Sequence, residues 1–125
     1  MSTVYVAVVA ITVLANAAIA VADLTRAGFV LANSAEVGVP QSWLPLLAAL
    51  KAAGAAGLLI GIVALPYLAV AAAAGLVAFY VGAVAAHIRA RVFYNIAFPG
   101  AYLALAAASL AMSIANADSN PVMTV

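Results

Sequence analysis

Residues 52–86 carry no charged side chain. A helix needs about 20 apolar residues to cross the hydrocarbon core of a bilayer. This run is too long for one crossing and too apolar for a wetted surface. Pro66 divides it, because an interior proline removes a backbone donor and clashes with the preceding turn. The spacing predicts two membrane helices joined by a tight hairpin, with Tyr67 beside the turn at the interface.

The flanks extend the pattern. Residues 4–22 are long and apolar enough for one crossing, with Asn16 the only strongly polar interruption. Ala20-Val21-Ala22 before Asp23 has the small-residue look of a signal cleavage site, yet Met1, Ser2 and Thr3 supply no positive n-region, so the segment reads as a retained helix. The mixed stretch that follows still contains Gly28, Phe29, Val30 and Leu31, which predicts a first helix reaching about Leu31 and then a loop. Ser42 is a candidate cap for the second helix, with Trp43 at headgroup depth and Pro45 tolerated in the first turn. The predicted helices are about 4–31, 43–64, 66–88 and 96–115. They form one domain over 1–115, followed by a short polar tail over 116–125 that Asn116, Asp118, Asn120 and Pro121 keep out of helix.

Composition decides the solvent. Of 125 residues, 70% are hydrophobic and 6% charged, against roughly 25% charged in a soluble domain. Mean hydropathy is +1.31. Too few polar residues exist to coat a small soluble core, so the outer surface must face lipid. An open sheet cannot satisfy its edges there. The fold class is therefore all-α, an integral membrane antiparallel four-helix bundle. A net charge of +1 with no basic stripe argues against nucleic acid. The absence of cysteine excludes thiolate ligands and dithiol chemistry by this chain.

With four crossings, Arg26, Arg89 and Arg91 fall on one side, and Lys51 lies toward it. The positive-inside rule places those loops in the cytoplasm and both termini outside. Gly54, Gly57 and Gly61 lie on one side of the second helix, and Gly57 and Gly61 form a G-x-x-x-G pair. Gly75 and Gly82, seven apart, share a face of the third. Pairing of these two helices through their glycines is the simpler reading, and self-association of the chain is the alternative.

Lys51 is the most informative polar residue. It lies roughly 12 Å along the helix axis from Trp43, where an ammonium is costly. It either snorkels to the interface or faces the bundle, paired with Asp23 or Glu36 or touching a lipid phosphate or quinone oxygen. Asn16 and Asp23 are seven apart on one face, and Arg26 lies within reach of Asp23. Asp23 and Arg26 make either a solvated ion pair near the headgroups or, with Lys51 and His87, a polar mouth that contacts a ligand. His87, the only histidine, reads as an interfacial residue at a helix end, with a proton relay as the alternative. One imidazole without cysteine makes no convincing metal or haem site. Arg89 and Arg91 suit anionic headgroups. Phe79, Phe93 and Phe98 read as lipid anchors or core. No nucleophile–base pairing, phosphate loop or zinc helix is visible, which argues against an enzyme acting alone.

The segment Leu44-Pro45-Leu46-Leu47-Ala48-Ala49-Leu50-Lys51-Ala52-Ala53-Gly54-Ala55-Ala56-Gly57-Leu58-Leu59-Ile60-Gly61, the proline-split hairpin, and Gly82-Ala83-Val84-Ala85-Ala86-His87-Ile88-Arg89 together resemble the DoxX-like family of small four-helix bacterial membrane proteins. The segments Ala22-Asp23-Leu24-Thr25-Arg26-Ala27 and Asn33-Ser34-Ala35-Glu36-Val37-Gly38-Val39-Pro40 are similar to an actinobacterial branch. Many relatives carry an acid where this chain has Lys51, and many end the first helix with glycine and lysine, so the chain departs from them at both places. The resemblance implies a link to thiosulfate:quinone oxidoreductase or to membrane complexes that resist oxidants. The resulting expectation is an accessory or scaffold subunit, with a membrane-protein partner or a second copy, no resident cofactor and no catalysis of its own. The alternatives are a quinone-linked oxidoreductase component and a lipid or small-molecule carrier.

Overall fold

The computed structural model describes residues 1–119. Its elements are α1 (Thr3–Leu24), α2 (Gly28–Val37), a 3-10 turn (Gln41–Trp43), α3 (Leu44–Ala64), α4 (Pro66–Arg89) and α5 (Ala97–Ser119). No strand occurs among the described residues. Four helical segments are long and apolar enough to cross a membrane, at 22, 24, 24 and 23 residues. They pack in a ring, α1 on α3, α3 on α4, α4 on α5 and α5 back on α1. Consecutive crossings are therefore neighbours, as an antiparallel bundle with short connections requires.

The helix ends follow from local chemistry. The Ser2 hydroxyl caps α1 by accepting from the Tyr5 N–H at 3.1 Å. Leu65 is extended, at φ −139 and ψ 87, as the residue before a proline prefers, and this closes α3 while Pro66 opens α4. Three other ends share one device. After α1, α2 and α4 the chain turns through a left-handed residue, Arg26 at φ 55, Gly38 at φ 76 and Arg91 at φ 57. The next N–H then reaches back into the helix: Ala27 to Ala22 O, Val39 to Ser34 O and Val92 to His87 O.

That device corrects the expected first helix. It ends at Leu24, and the stretch expected to extend it to Leu31 belongs partly to the separate helix α2. Nor does Ser42 cap α3: the 3-10 turn leads straight in, with no side-chain cap bond at Trp43. At the other end α5 runs on through Asn116, Ala117, Asp118 and Ser119, where a polar tail was expected. Ala117 is buried there, and a packed turn outweighs the weak helix preference of its polar neighbours. The remainder of that tail lies outside the described residues.

The bundle is inside-out relative to a soluble protein. Leu14, Val63, Leu46 and Val4 project outward, whereas Thr12, Asn16, Asp23, Lys51, His87, Ser109 and Ser113 are buried. Such an exterior is tolerable only against lipid. The apolar core gathers Tyr5, Val9, Leu58, Leu76 and Tyr80 with alanines 69, 73 and 106.

The α3 glycines set how closely α4 approaches. A Cβ at Gly57 would lie 2.9 Å from Ala72 Cβ, and one at Gly61 2.6 Å from Ala69 Cα. Gly75 and Gly82 take no part: a Cβ at either would meet nothing within 4 Å. The expected glycine-to-glycine seam is thus glycine against alanine and Leu76, because Gly75 and Gly82 turn away from α3.

Candidate ligand-binding site

Asp23 and Lys51 meet inside the bundle. Asp23 sits in the last turn of α1, where the stripe Tyr5, Thr12, Asn16, Asp23 faces inward. Lys51 sits two turns into α3 and points the same way. Nζ donates to Asp23 Oδ2 at 2.7 Å, with the two side chains 10% and 3% exposed. This is the one salt bridge among the described residues. Nζ also lies 5.2 Å from the centre of the Phe79 ring, a cation–π contact. Lys51 therefore does not snorkel. Its charge is matched by a carboxylate and an aromatic face, as an intramembrane charge requires.

His87, in the last turn of α4, is buried within the bundle at 3% exposure. Its Nδ1 is 3.0 Å from Ala83 O, one turn back on α4, and its Nε2 is 3.2 Å from Asn33 Oδ1 on α2. Asn95, in the turn before α5, donates from Nδ2 to the same Asn33 oxygen at 3.2 Å. Its own Oδ1 is buried without a partner. On the outer side of α2, the Tyr94 hydroxyl donates to Glu36 at 2.6 Å. That bond pushes the Tyr94 hydroxyl above the usual phenol range.

These groups share a cavity of about 870 Å³ bounded by the end of α1, by α2, α3 and α4, and by the start of α5. Phe29, Phe79, Tyr80, Phe98 and Tyr102 give it aromatic walls, while Asp23, Lys51, His87, Asn33 and Asn95 supply its polar edge. Two of these wall residues are tied to α1, Tyr80 donating to Asn16 Oδ1 at 2.5 Å and Tyr102 to Ala15 O at 3.0 Å. Of the residues expected at a polar mouth, Asp23, Lys51 and His87 line this cavity and Arg26 does not. Arg26 donates instead to Gln41 at 2.5 Å, so the alternative Asp23–Arg26 pair is not formed. Arg89 borders the cavity, and Arg91 lies in the following turn.

A family model for DoxX-like proteins matches residues 7–109. The chain belongs to the DoxX-like family. The matched stretch of this DoxX-like chain contains every cavity residue named above. No curated protein and no solved structure matches it.

Sequence reasoning missed Asn33, Asn95 and Tyr80. Tyr80 shares its helix face with His87, seven residues on, and that spacing was available. Asn33 and Asn95 carry no such signal, because their meeting depends on α2 being a separate helix folded back against α4.

Proposed function

We propose that this protein is a non-catalytic subunit of an inner-membrane complex, and that it holds a lipophilic molecule with a small polar head in the cavity at its charged end. The observation that carries this reading is the cavity itself. At about 870 Å³ it falls within the range of about 300–1,000 Å³ typical of small-molecule sites. Its walls are mostly aromatic and aliphatic with a few polar side chains among them, which suits a molecule apolar over most of its surface. Asp23 and Lys51 neutralise each other, which favours a neutral head. A quinone has the required shape: a flat ring to stack between aromatic side chains, and carbonyl oxygens to accept from a nearby N–H.

No activated nucleophile lines the cavity, so the role is to bind and present, and chemistry falls to a partner membrane protein. With the arginine-bearing loops in the cytoplasm and both termini outside, the head would sit at the inner leaflet.

The test is binding of decylubiquinone to the full-length protein in lipid nanodiscs. Gly82 lines the cavity and its Cβ position is open, so Gly82→Leu intrudes on the site without disturbing the backbone. Saturable binding that weakens at least tenfold in Gly82→Leu is expected. Partition into lipid alone, equal for both proteins, overturns the reading. Native mass spectrometry of the gently extracted protein then tests for a stoichiometric partner.

A further inference from the structure

The three side chains Asn33, His87 and Asn95 form a hydrogen-bond chain with only two self-consistent arrangements. A carbonyl oxygen can only accept, so the 3.0 Å contact to Ala83 O fixes the proton on His87 Nδ1. What Nε2 does then depends on charge. In the imidazolium, Nε2–H donates to Asn33 Oδ1, Asn95 Nδ2 donates to the same oxygen, and the far end of the chain is the unpartnered acceptor Asn95 Oδ1. In the neutral ring, Nε2 is an acceptor and must face the Asn33 amide nitrogen. The two hydrogens of that nitrogen serve His87 Nε2 and Asn95 Oδ1, which turns the Asn95 amide over as well. The far end of the chain is then the donor Asn95 Nδ2. Amide nitrogen and oxygen occupy nearly the same space, so both arrangements fit one set of heavy-atom positions.

We infer that this chain couples the proton on His87 to the head group of the molecule in the cavity: a carbonyl head, which can only accept, is held with neutral His87, whereas a hydroxyl head, which donates or accepts, is held with either charge state. A buried polar atom without a partner is costly in either arrangement, and a ligand of matching polarity relieves that cost. An acceptor-only head therefore releases a proton from His87, while a hydroxyl head, which matches either arrangement, leaves the proton where the pH sets it. The ligand class is a lipophilic ketone or alcohol, and of the two only the ketone binds with a marked pH dependence. The inference rests on the proposed ligand-binding role of the cavity.

Other charges bordering the cavity are already engaged or sit apart from the chain. Asp23 of α1 and Lys51 of α3 hold each other, and Glu36 of α2 holds Tyr94. Arg89 follows His87 on α4, Arg91 lies in the next turn, and Tyr80 and Tyr102 are bonded to α1. None of these groups intervenes in the hydrogen bonds linking His87, Asn33 and Asn95.

The experiment compares 2-undecanone with 2-undecanol, binding to the full-length protein in nanodiscs between pH 5 and pH 8. The expected result is a divergence: the ketone binds tighter as pH rises while the alcohol changes little, with their affinity ratio changing by about tenfold, the worth of one buried hydrogen bond. Because the chain has one histidine, ring ¹⁵N spectra report His87 alone. At fixed pH, saturating ketone should lower its charged fraction and saturating alcohol should leave it nearly unchanged. Asn95→Leu should abolish the divergence. Parallel pH profiles, or His87 spectra indifferent to both probes, overturn the coupling and leave the cavity reading standing. If neither probe binds, the coupling is overturned, and failure of decylubiquinone as well removes the cavity reading with it.

Discussion

The two halves of the bundle solve one problem in opposite ways. Both must bury polar groups within an apolar exterior. In the half away from the arginines, buried hydroxyls pair across the helix interface: Tyr5 with Ser113 at 2.9 Å, and Thr12 with Ser109 at 3.0 Å. Alanine and glycine then let α3 and α4 close until Gly61 lies against the Ala69 backbone. In the other half α2 and the aromatic side chains border the cavity. The polar groups there, Asp23, Lys51, His87 and two asparagines, line a space. The first arrangement is complete in itself. The second leaves a buried acceptor unserved on Asn95. Self-satisfied polar contacts position helices, and an unsatisfied one beside a cavity is open to a bound molecule or to water.

The ion pair gives the sharpest way to break this contrast. Lys51→Ala leaves the Asp23 carboxylate buried alone and should cost about 3–5 kcal/mol, read as the shift in an unfolding transition in mixed micelles. Replacing both partners, as Asp23→Asn with Lys51→Met, should recover most of that loss. A single variant as stable as the parent would mean that water already reaches the pair.

Glycine substitutions come next. Gly61→Leu drives a side chain into the Ala69 backbone and should destabilise by about 1–3 kcal/mol. Gly75→Ala fills open space and should stabilise by roughly 0.5–1 kcal/mol through helix preference. Equal effects at the two sites would dissolve the asymmetry of the α3–α4 contact.

The smallest effect concerns the outer latch of α2. The Tyr94 hydroxyl is raised in the folded protein by its bond to Glu36. Its contribution is therefore fully present below the ordinary phenol value of about 10. It is lost as pH rises through the higher folded value. Above pH 10 the parent should lose thermal stability faster than Tyr94→Phe, and identical pH profiles would exclude the latch.

Much of this architecture was legible from the residues. Pro66 within an uncharged run dictated the hairpin, and the lack of a polar shell dictated lipid. The spacing of Asn16 and Asp23 gave α1 an inward polar face. Two features were not legible. Arg26 and Arg91 adopt a left-handed conformation for which glycine or asparagine is the usual sign. An arginine there announces no helix end, so α2 stayed hidden. Without α2 nothing brings Asn33 to His87 and Asn95, and the polar edge of the cavity is incomplete. The charged trio of Asp23, Lys51 and His87 was visible as a grouping, because each lies near a helix end on the same side of the membrane.

Photolabelling tests the central claim most directly. A diazirine-bearing alkyl ketone would be equilibrated with the protein in nanodiscs, irradiated, and its adducts mapped by mass spectrometry. The account predicts adducts concentrated at Phe29, Phe79, Phe98 and Tyr102, and suppressed by excess unlabelled ketone. Adducts spread over lipid-facing Leu14, Ile60 and Val63, indifferent to competitor, would contradict it.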